Sequence, residues 1–205
     1  MNIRILAVAG SPRRGGNSET LLDQAIAGAE SQGALVEKVV LQGLKIAPCI
    51  ECDRCFQTGR CAVQDDYQVL YDKLLAYEGV ILAAPIFFMN VSAQAKAFID
   101  RCQCLWAMKY VLRQPLPPTS SGLSRRAAFI ATAGSPRTKF DCALSTVRAF
   151  TNTLDATYNG DVLINGIDEK GAVSAYPDVL RRAFALGEKL ALAGLNPDEV
   201  PLKPR

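Results

Sequence analysis

The sequence predicts an α/β protein with a doubly wound, five-stranded parallel sheet in three α/β/α layers. Three observations carry this. Short, nearly continuous apolar runs alternate with amphipathic stretches of helical period; the runs carry too few polar residues for a half-exposed antiparallel sheet; and two of them end in small-residue turns of the same composition.

Each element has a local reason. Ile3 to Ala9 is an apolar run stopped by Gly10-Ser11-Pro12, hence a buried parallel strand. Asn17-Ser18 offers a capping start for a helix with Leu21, Leu22, Ala25, Ile26 and Ala29 on one face and Gly33 as its stop. Leu35 to Leu41 is the second strand. Asp66 is a cap candidate for a helix from Tyr67 to Tyr77, and Val80 to Ala84 is the third strand. Then follow helix Ser92 to Trp106, strand Ala127 to Ala133, helix Phe140 to Leu154, strand Thr157 to Ile164 and helix Pro177 to Ala193. Two stretches interrupt the alternation: a cysteine-rich loop at 42–66, and Lys109 to Ser124, which carries Pro115, Pro117 and Pro118 and reads as a site cover, a subunit contact or a mobile loop. The whole, 1–205, is expected to form one domain with an extended tail at 194–205.

Composition narrows the setting. The chain is 49% hydrophobic and 21% charged, enough to bury a core and unlike a disordered chain. Its longest apolar segment, Gly79 to Val91, is too short for a bilayer, and no basic stretch precedes the first apolar run, so a cytoplasmic protein without membrane attachment is expected. Seven cysteines, an odd number, fit a reducing compartment. A net charge of +3, with no basic run interleaved with aromatics, argues against nucleic acid, and Arg125-Arg126 and Arg181-Arg182 read as solvated.

Two loops carry binding chemistry. Gly10 to Thr20 joins a strand to a helix start, where outward amides and the helix dipole favour an anion, and Ser11, Asn17, Ser18, Thr20 and Arg13 add side-chain donors. It is neither G-x-G-x-x-G nor a lysine-bearing P-loop, so a terminal monophosphate fits better than a dinucleotide or a triphosphate. After the third strand, Pro85-Ile86-Phe87-Phe88-Met89-Asn90 supplies apolar contacts and amides for a flat aromatic ligand. Ala131 to Arg137 echoes Ala7 to Arg13, placing Ala133 and Gly134 at another strand end.

The cysteines Cys49, Cys52, Cys55 and Cys61 follow a C-x2-C-x2-C-x5-C spacing, compact enough for one loop to bring four thiolates to a cuboidal iron–sulfur cluster. Zinc and a set of ordinary or redox-active thiols remain alternatives, although zinc favours separated knuckles or histidine and the chain has no histidine. Cys102 and Cys104, two apart on a predicted helix, would point to different faces and with Cys142 act as small core or interface fillers. Lys96, Asp100 and Arg101 read as ion-paired structural residues.

Together the motifs resemble the flavodoxin-fold FMN reductases, and among them the iron–sulfur flavoproteins. The matching residues are Gly10-Ser11-Pro12-Arg13 with Asn17-Ser18, Pro48-Cys49 through Cys61 with Asp65-Asp66, Pro85 to Phe88, and Ser92-Ala93-Gln94 with Lys96 and Asp100-Arg101. The resemblance implies a flavodoxin-like sheet, FMN phosphate held by Ser11, Arg13, Asn17 and Ser18, and a ring lined by Pro85 to Asn90 and closed by Ala133 and Gly134. It also implies a four-iron four-sulfur (4Fe-4S) cluster on the four cysteines. Glu51 stands where such proteins often have glycine, and Phe87 where many have tyrosine. The expected activity is an FMN-dependent oxidoreductase relaying electrons between cluster and flavin. Ferredoxin or NAD(P)H would be the donor, a small molecule the acceptor, and a homodimer or homotetramer the assembly. The rivals are an NAD(P)H-dependent flavin, quinone, nitro or azo reductase without a cluster, and a non-catalytic redox or metal sensor.

Overall fold

The computed structural model describes residues 3–192. Its strands β1 (Arg4–Ala9), β2 (Leu35–Val40), β3 (Gly79–Phe87), β5 (Arg126–Thr132) and β6 (Thr157–Ile164) form one parallel sheet in the order β2-β1-β3-β5-β6. Helices α1 (Asn17–Ser31) and α7 (Pro177–Leu192) cover one face, their Leu21, Leu22, Ala183 and Leu190 packing on Ile5, Ala7, Ile81 and Ile130. On the other, α3 (Tyr67–Ala76), α4 (Ala93–Arg101) and α6 (Asp141–Thr153) bring Leu70, Tyr71, Phe98, Val147 and Phe150 onto Leu6, Val8, Leu82 and Phe129. With both faces covered, the central strands contain almost no polar residue, as the sequence pattern implied.

The chain leaves β1 for β2 on one side and returns for β3 on the other. The carboxyl ends of β1 and β3 therefore flank the topological switch point, where doubly wound sheets open a crevice for ligands. Both predicted binding loops start there.

Several expectations change. β3 runs on to Phe87 because Ile86 and Phe87 pair antiparallel with the short β4 (Asn90–Val91) in a two-residue hairpin. The predicted helix Ser92 to Trp106 is interrupted at Cys102, continues as the four-residue α5 (Gln103–Trp106) and widens into a π-turn at Ala107–Val111. The cysteine loop contains its own helical turn, α2 (Cys55–Thr58). Arg125 and Arg126 are not solvated but buried; Arg125 reaches the carbonyls of Leu74, Leu75 and Pro117, compensating the end of α3 and the proline segment. That segment is tied to the amino end of the sheet by Ser120 N to Ala76 O at 2.8 Å and Ser121 N to Glu78 Oε1 at 3.0 Å, at the end of β3 opposite the crevice. The helix-start roles move as well. Gly16, not Asn17, precedes α1, and at α3 the amide of Tyr67 is accepted by Asp65 Oδ1 at 3.1 Å while Asp66 makes no side-chain cap. The expected tail at 194–205 lies outside the described residues. Among the described residues no helix is long and apolar enough to cross a membrane.

Candidate functional site

The crevice is a cleft of ≈ 160 Å3 lined by Ser11, Pro12, Arg13, Gly16, Asn17 and Ser18 from the first loop, Pro85, Ile86 and Phe87 from the end of β3, and Thr132, Gly134, Ile167 and Asp168 from the far side. Its floor is backbone. Gly10 has to be glycine, since a Cβ there would stand 2.8 Å from Ala95 Cβ, and Ser92, the N-cap of α4, donates its hydroxyl to Gly10 O. Hydrogen bonds within the loop define its shape: the Ser11 hydroxyl accepts Arg13 N at 3.0 Å, and Glu19 Oε2 accepts Gly15 N at 2.6 Å. Burial pulls the Glu19 carboxyl upward, but hydrogen bonds from Lys38 and Gly15 N and the charge of Arg14 outweigh it and hold the group below its ordinary value. The amides of the first turn of α1 precede its hydrogen-bond ladder and face the cleft with Ser11 and Ser18.

Of the thirteen residues expected to bind cofactor, Ser11, Arg13, Asn17, Ser18, Pro85, Ile86, Phe87 and Gly134 line this cleft. Thr20 spends its hydroxyl on Gly16 O, Ala133 is buried beside it, Asn90 accepts Val91 N with its own side chain, and Phe88 and Met89 form the exposed tip of the β3–β4 hairpin. Two expected phosphate donors have other partners. Asn17 donates to Glu169 O at 2.9 Å and accepts Val173 N at 3.2 Å, while Arg13 donates to Asp168 O at 3.2 Å. Both therefore clamp the segment after β6 against the phosphate loop. That segment supplies Ile167 and Asp168, which no local motif announces; the only trace of Asp168 in the sequence is Gly134, where a Cβ would stand 2.8 Å from its Oδ1.

The residues suit a flavin mononucleotide: a backbone cradle and hydroxyls suited to a phosphate, an apolar wall from Pro85 to Phe87, and Gly16 and Gly134 in the lining. The hairpin tip is strained. Phe88 at φ 49° and Met89 at φ 66° both occupy the left-handed region, where a two-residue turn ordinarily places asparagine and glycine.

A second cavity of ≈ 620 Å3 lies at the other end of α4. It is lined by all four motif cysteines, by Cys102 and Cys104, by Phe56 and Trp106, and by Lys96, Asp100 and Arg101. All these thiols are free. Burial pushes the Cys55 thiol up, and its neighbours Cys49, Cys61 and Cys52 push it the same way. Cys102 and Cys104 do not diverge as expected: the break at Cys102 turns both toward the Tyr67 hydroxyl, at 3.3 and 3.7 Å. Cys142, expected as a core or interface filler, is exposed and so is not part of the core. Lys96 and Asp100 pair across one helical turn, whereas Arg101 pairs with Asp65. Among the described residues no group of three His, Cys, Asp or Glu side chains closes on a point that would hold one metal ion. Four thiols around one cavity nonetheless match the donor set of a cuboidal cluster, which spaces its ligands around a cube rather than a single ion.

Glu51 and Asp53 bend the cysteine loop at φ 51° and 56°. Glycine would adopt the Glu51 conformation without strain, so Glu51→Gly is expected to stabilise the protein by about 0.5–1 kcal/mol, the left-handed penalty less the added freedom of the unfolded chain. The check is a higher urea midpoint at unchanged slope; an equal or lower midpoint would show that Glu51 is not under strain.

Comparison with known proteins agrees with this architecture. Over 111 residues the chain is 33% identical to the iron-sulfur flavoprotein of Methanosarcina thermophila, an alignment covering 54% of this chain and 58% of that protein. The chain thus spans little more than half the length of this curated relative. It is 29% identical over 90% of its length to the whole of a putative NAD(P)H-dependent FMN-containing oxidoreductase, YwqN, of Bacillus subtilis. Among solved structures, a flavone reductase superposes with a TM-score of 0.68 at 19% identity, covering 98% of this chain and 66% of the other, a likeness of fold. The family model described as NADPH-dependent FMN reductase matches residues 3–168. That span runs from β1 to Asp168 and takes in every residue lining the cleft and the thiol cavity, so the chain belongs to the NADPH-dependent FMN reductase family.

Proposed function

We propose that the protein is an FMN-dependent oxidoreductase in which Cys49, Cys52, Cys55 and Cys61 hold a four-iron four-sulfur cluster that relays electrons to or from the flavin. The observation that carries this reading is the pairing, in one chain, of a monophosphate-sized cleft at the switch point with a cavity ringed by four free thiols. FMN takes up one or two electrons and so links one-electron to two-electron partners. The side chains then bind and orient. Ser11, Ser18 and the first-turn amides of α1 receive the phosphate, Asn17 and Arg13 hold the 167–173 segment closed over it, and Pro85 to Phe87 exclude water from one face of the ring.

The likeness to the B. subtilis protein along nearly the whole chain supports a second reading, reduction by NAD(P)H without a cluster. Anaerobic purification with iron, sulfide and flavin assays separates the two, and about four irons and four sulfides with one FMN per chain are expected for the relay. Rapid flavin reduction by NAD(P)H in iron-free protein would favour the second reading instead.

Asn17→Ala is expected to weaken FMN by about 2 kcal/mol, roughly thirtyfold in Kd, because it unclamps the closing segment, freeing the Glu169 carbonyl and leaving the buried Val173 amide unpaired. Flavin fluorescence titration measures this. Unchanged affinity, or heat-released FAD, would sink the assignment of the cleft.

A further inference from the structure

The most thoroughly buried charge near the thiol cavity is Arg101. Its side chain is 0% exposed, and every nitrogen of the guanidinium is engaged. Nη1 donates to Asp65 Oδ2 at 2.6 Å and to Ala47 O at 2.9 Å; Nη2 donates to Val63 O and to Asp65 Oδ1, both at 3.1 Å. The plane stacks over the Tyr67 ring at 4.7 Å. Nε is left with Cys61 Sγ, at 3.2 Å.

The choice of that last acceptor is informative. A guanidinium has donors only, and a buried one needs acceptors of matching strength. A neutral thiol is a weak acceptor, whereas a thiolate is a strong one. The same arginine grips both limbs of the cysteine loop, at 47 on one side and at 61, 63 and 65 on the other, so it fixes where the Cys61 sulfur stands relative to the rest of the loop. Asp65 balances one positive charge with one negative charge, and its carboxyl is held below the ordinary range mainly by the Arg101 hydrogen bond against the upward pull of burial.

We propose that Arg101 is a positioning residue of the cysteine centre, its Nε–H fixing the Cys61 sulfur and its charge setting the reduction potential of a cluster bound there. This rests on the cluster reading above. Reduction adds one electron, supplied by the external donor, and with it one unit of negative charge; no bond to Arg101 forms or breaks. A fixed cation and a hydrogen bond to a ligating sulfur both favour the more negative state, so Arg101 raises the potential. A purely structural staple would hold the loop without that effect.

The test uses the full chain, reconstituted anaerobically, as wild type, Arg101→Gln and Arg101→Lys, with iron content and FMN content measured beside an EPR-monitored redox titration. Arg101→Gln removes the charge and is expected to shift the one-electron reduction equilibrium at least tenfold against reduction, a fall of 59 mV or more. Arg101→Lys keeps the charge but loses the fork, and is expected to stay within about threefold of wild type while the loop amides exchange faster with solvent. FMN content should be the same in all three, since no residue of the cleft touches Arg101. An unchanged potential in iron-loaded Arg101→Gln, or a lysine variant shifted as far as the glutamine one, overturns the proposal and leaves the cluster reading standing. Where Arg101→Gln loses its iron, the lysine variant decides: within threefold supports the proposal, and tenfold or more overturns it. Wild type that takes up no iron overturns the cluster reading and this inference together.

Discussion

Cys52→Ser is expected to bring iron from about four atoms per chain to less than one while leaving FMN bound. Cys52 is exposed, so the exchange of sulfur for oxygen costs little packing and stability should stay within about 0.5 kcal/mol of wild type. Its effect is on coordination, since a serine oxygen is a harder and less acidic ligand than the soft thiolate that iron–sulfur clusters require. None of residues 49–61 lines the cleft, so the flavin should remain. Iron and sulfide assays beside heat-released flavin check both halves. An iron spectrum unaltered by the substitution, or stoichiometric zinc in the wild type, would count decisively against the cluster; joint loss of iron and FMN would count against two separate sites.

The second large effect concerns the core. Gly28 on α1 and Gly187 on α7 face one another where the helices cross. A Cβ on Gly187 would stand 1.8 Å from Ala25 O, and one on Gly28 would stand 2.0 Å from Phe184 O. Helix propensity alone favours alanine over glycine by roughly 1 kcal/mol. Here the obstacle is backbone on both sides and cannot rotate away, so the helices would have to part along a contact that seals one face of the sheet. Gly187→Ala is therefore expected to destabilise by about 3 kcal/mol, a fall in Tm of roughly 9 °C for a domain of this size. Gly43→Ala, with nothing within 4 Å of the added carbon, serves as the control and should stay near wild type. A Gly187→Ala midpoint within 2 °C of wild type would mean that the helices are not in backbone contact.

What could be read from the sequence was whatever depends on neighbours along the chain. The buried strands announce themselves as apolar runs, and the phosphate loop and the cysteine spacing are local patterns whose geometry follows from their own residues. What could not be read depends on distant partners. Arg125 and Arg126 carry no mark that the carbonyls at the end of α3 await one of them, and Arg101 follows Asp100 directly yet pairs with the distant Asp65. A continuous helix would send Cys102 and Cys104 to different faces, and the break at Cys102 removes that premise. The β3–β4 hairpin is hidden because Phe88-Met89 has none of the residues that favour left-handed turns, so the sequence pattern ends the strand at Ala84. Asp168 reaches the cleft from more than a hundred residues beyond the phosphate loop, a distance no motif spans.

The grip of Arg101 on the cysteine loop also dictates an order of assembly. Its partners lie 36 to 54 residues away along the chain, so these bonds can close only after α4 has docked on the sheet and the entropy of that long closure has been met by packing of Phe98 and its neighbours. The loop therefore gains its Arg101 bonds only once α4 is seated. Before that, α3 alone holds it, through Gln68 on the Cys61 and Val63 carbonyls and Tyr71 on the Gly59 carbonyl, while Cys49, Cys52 and Cys55 stand open to oxidation or to cross-linking in the wrong pairs. Newly made chains pass through this window once, and the time they spend in it is set by the rate at which α4 finds its seat.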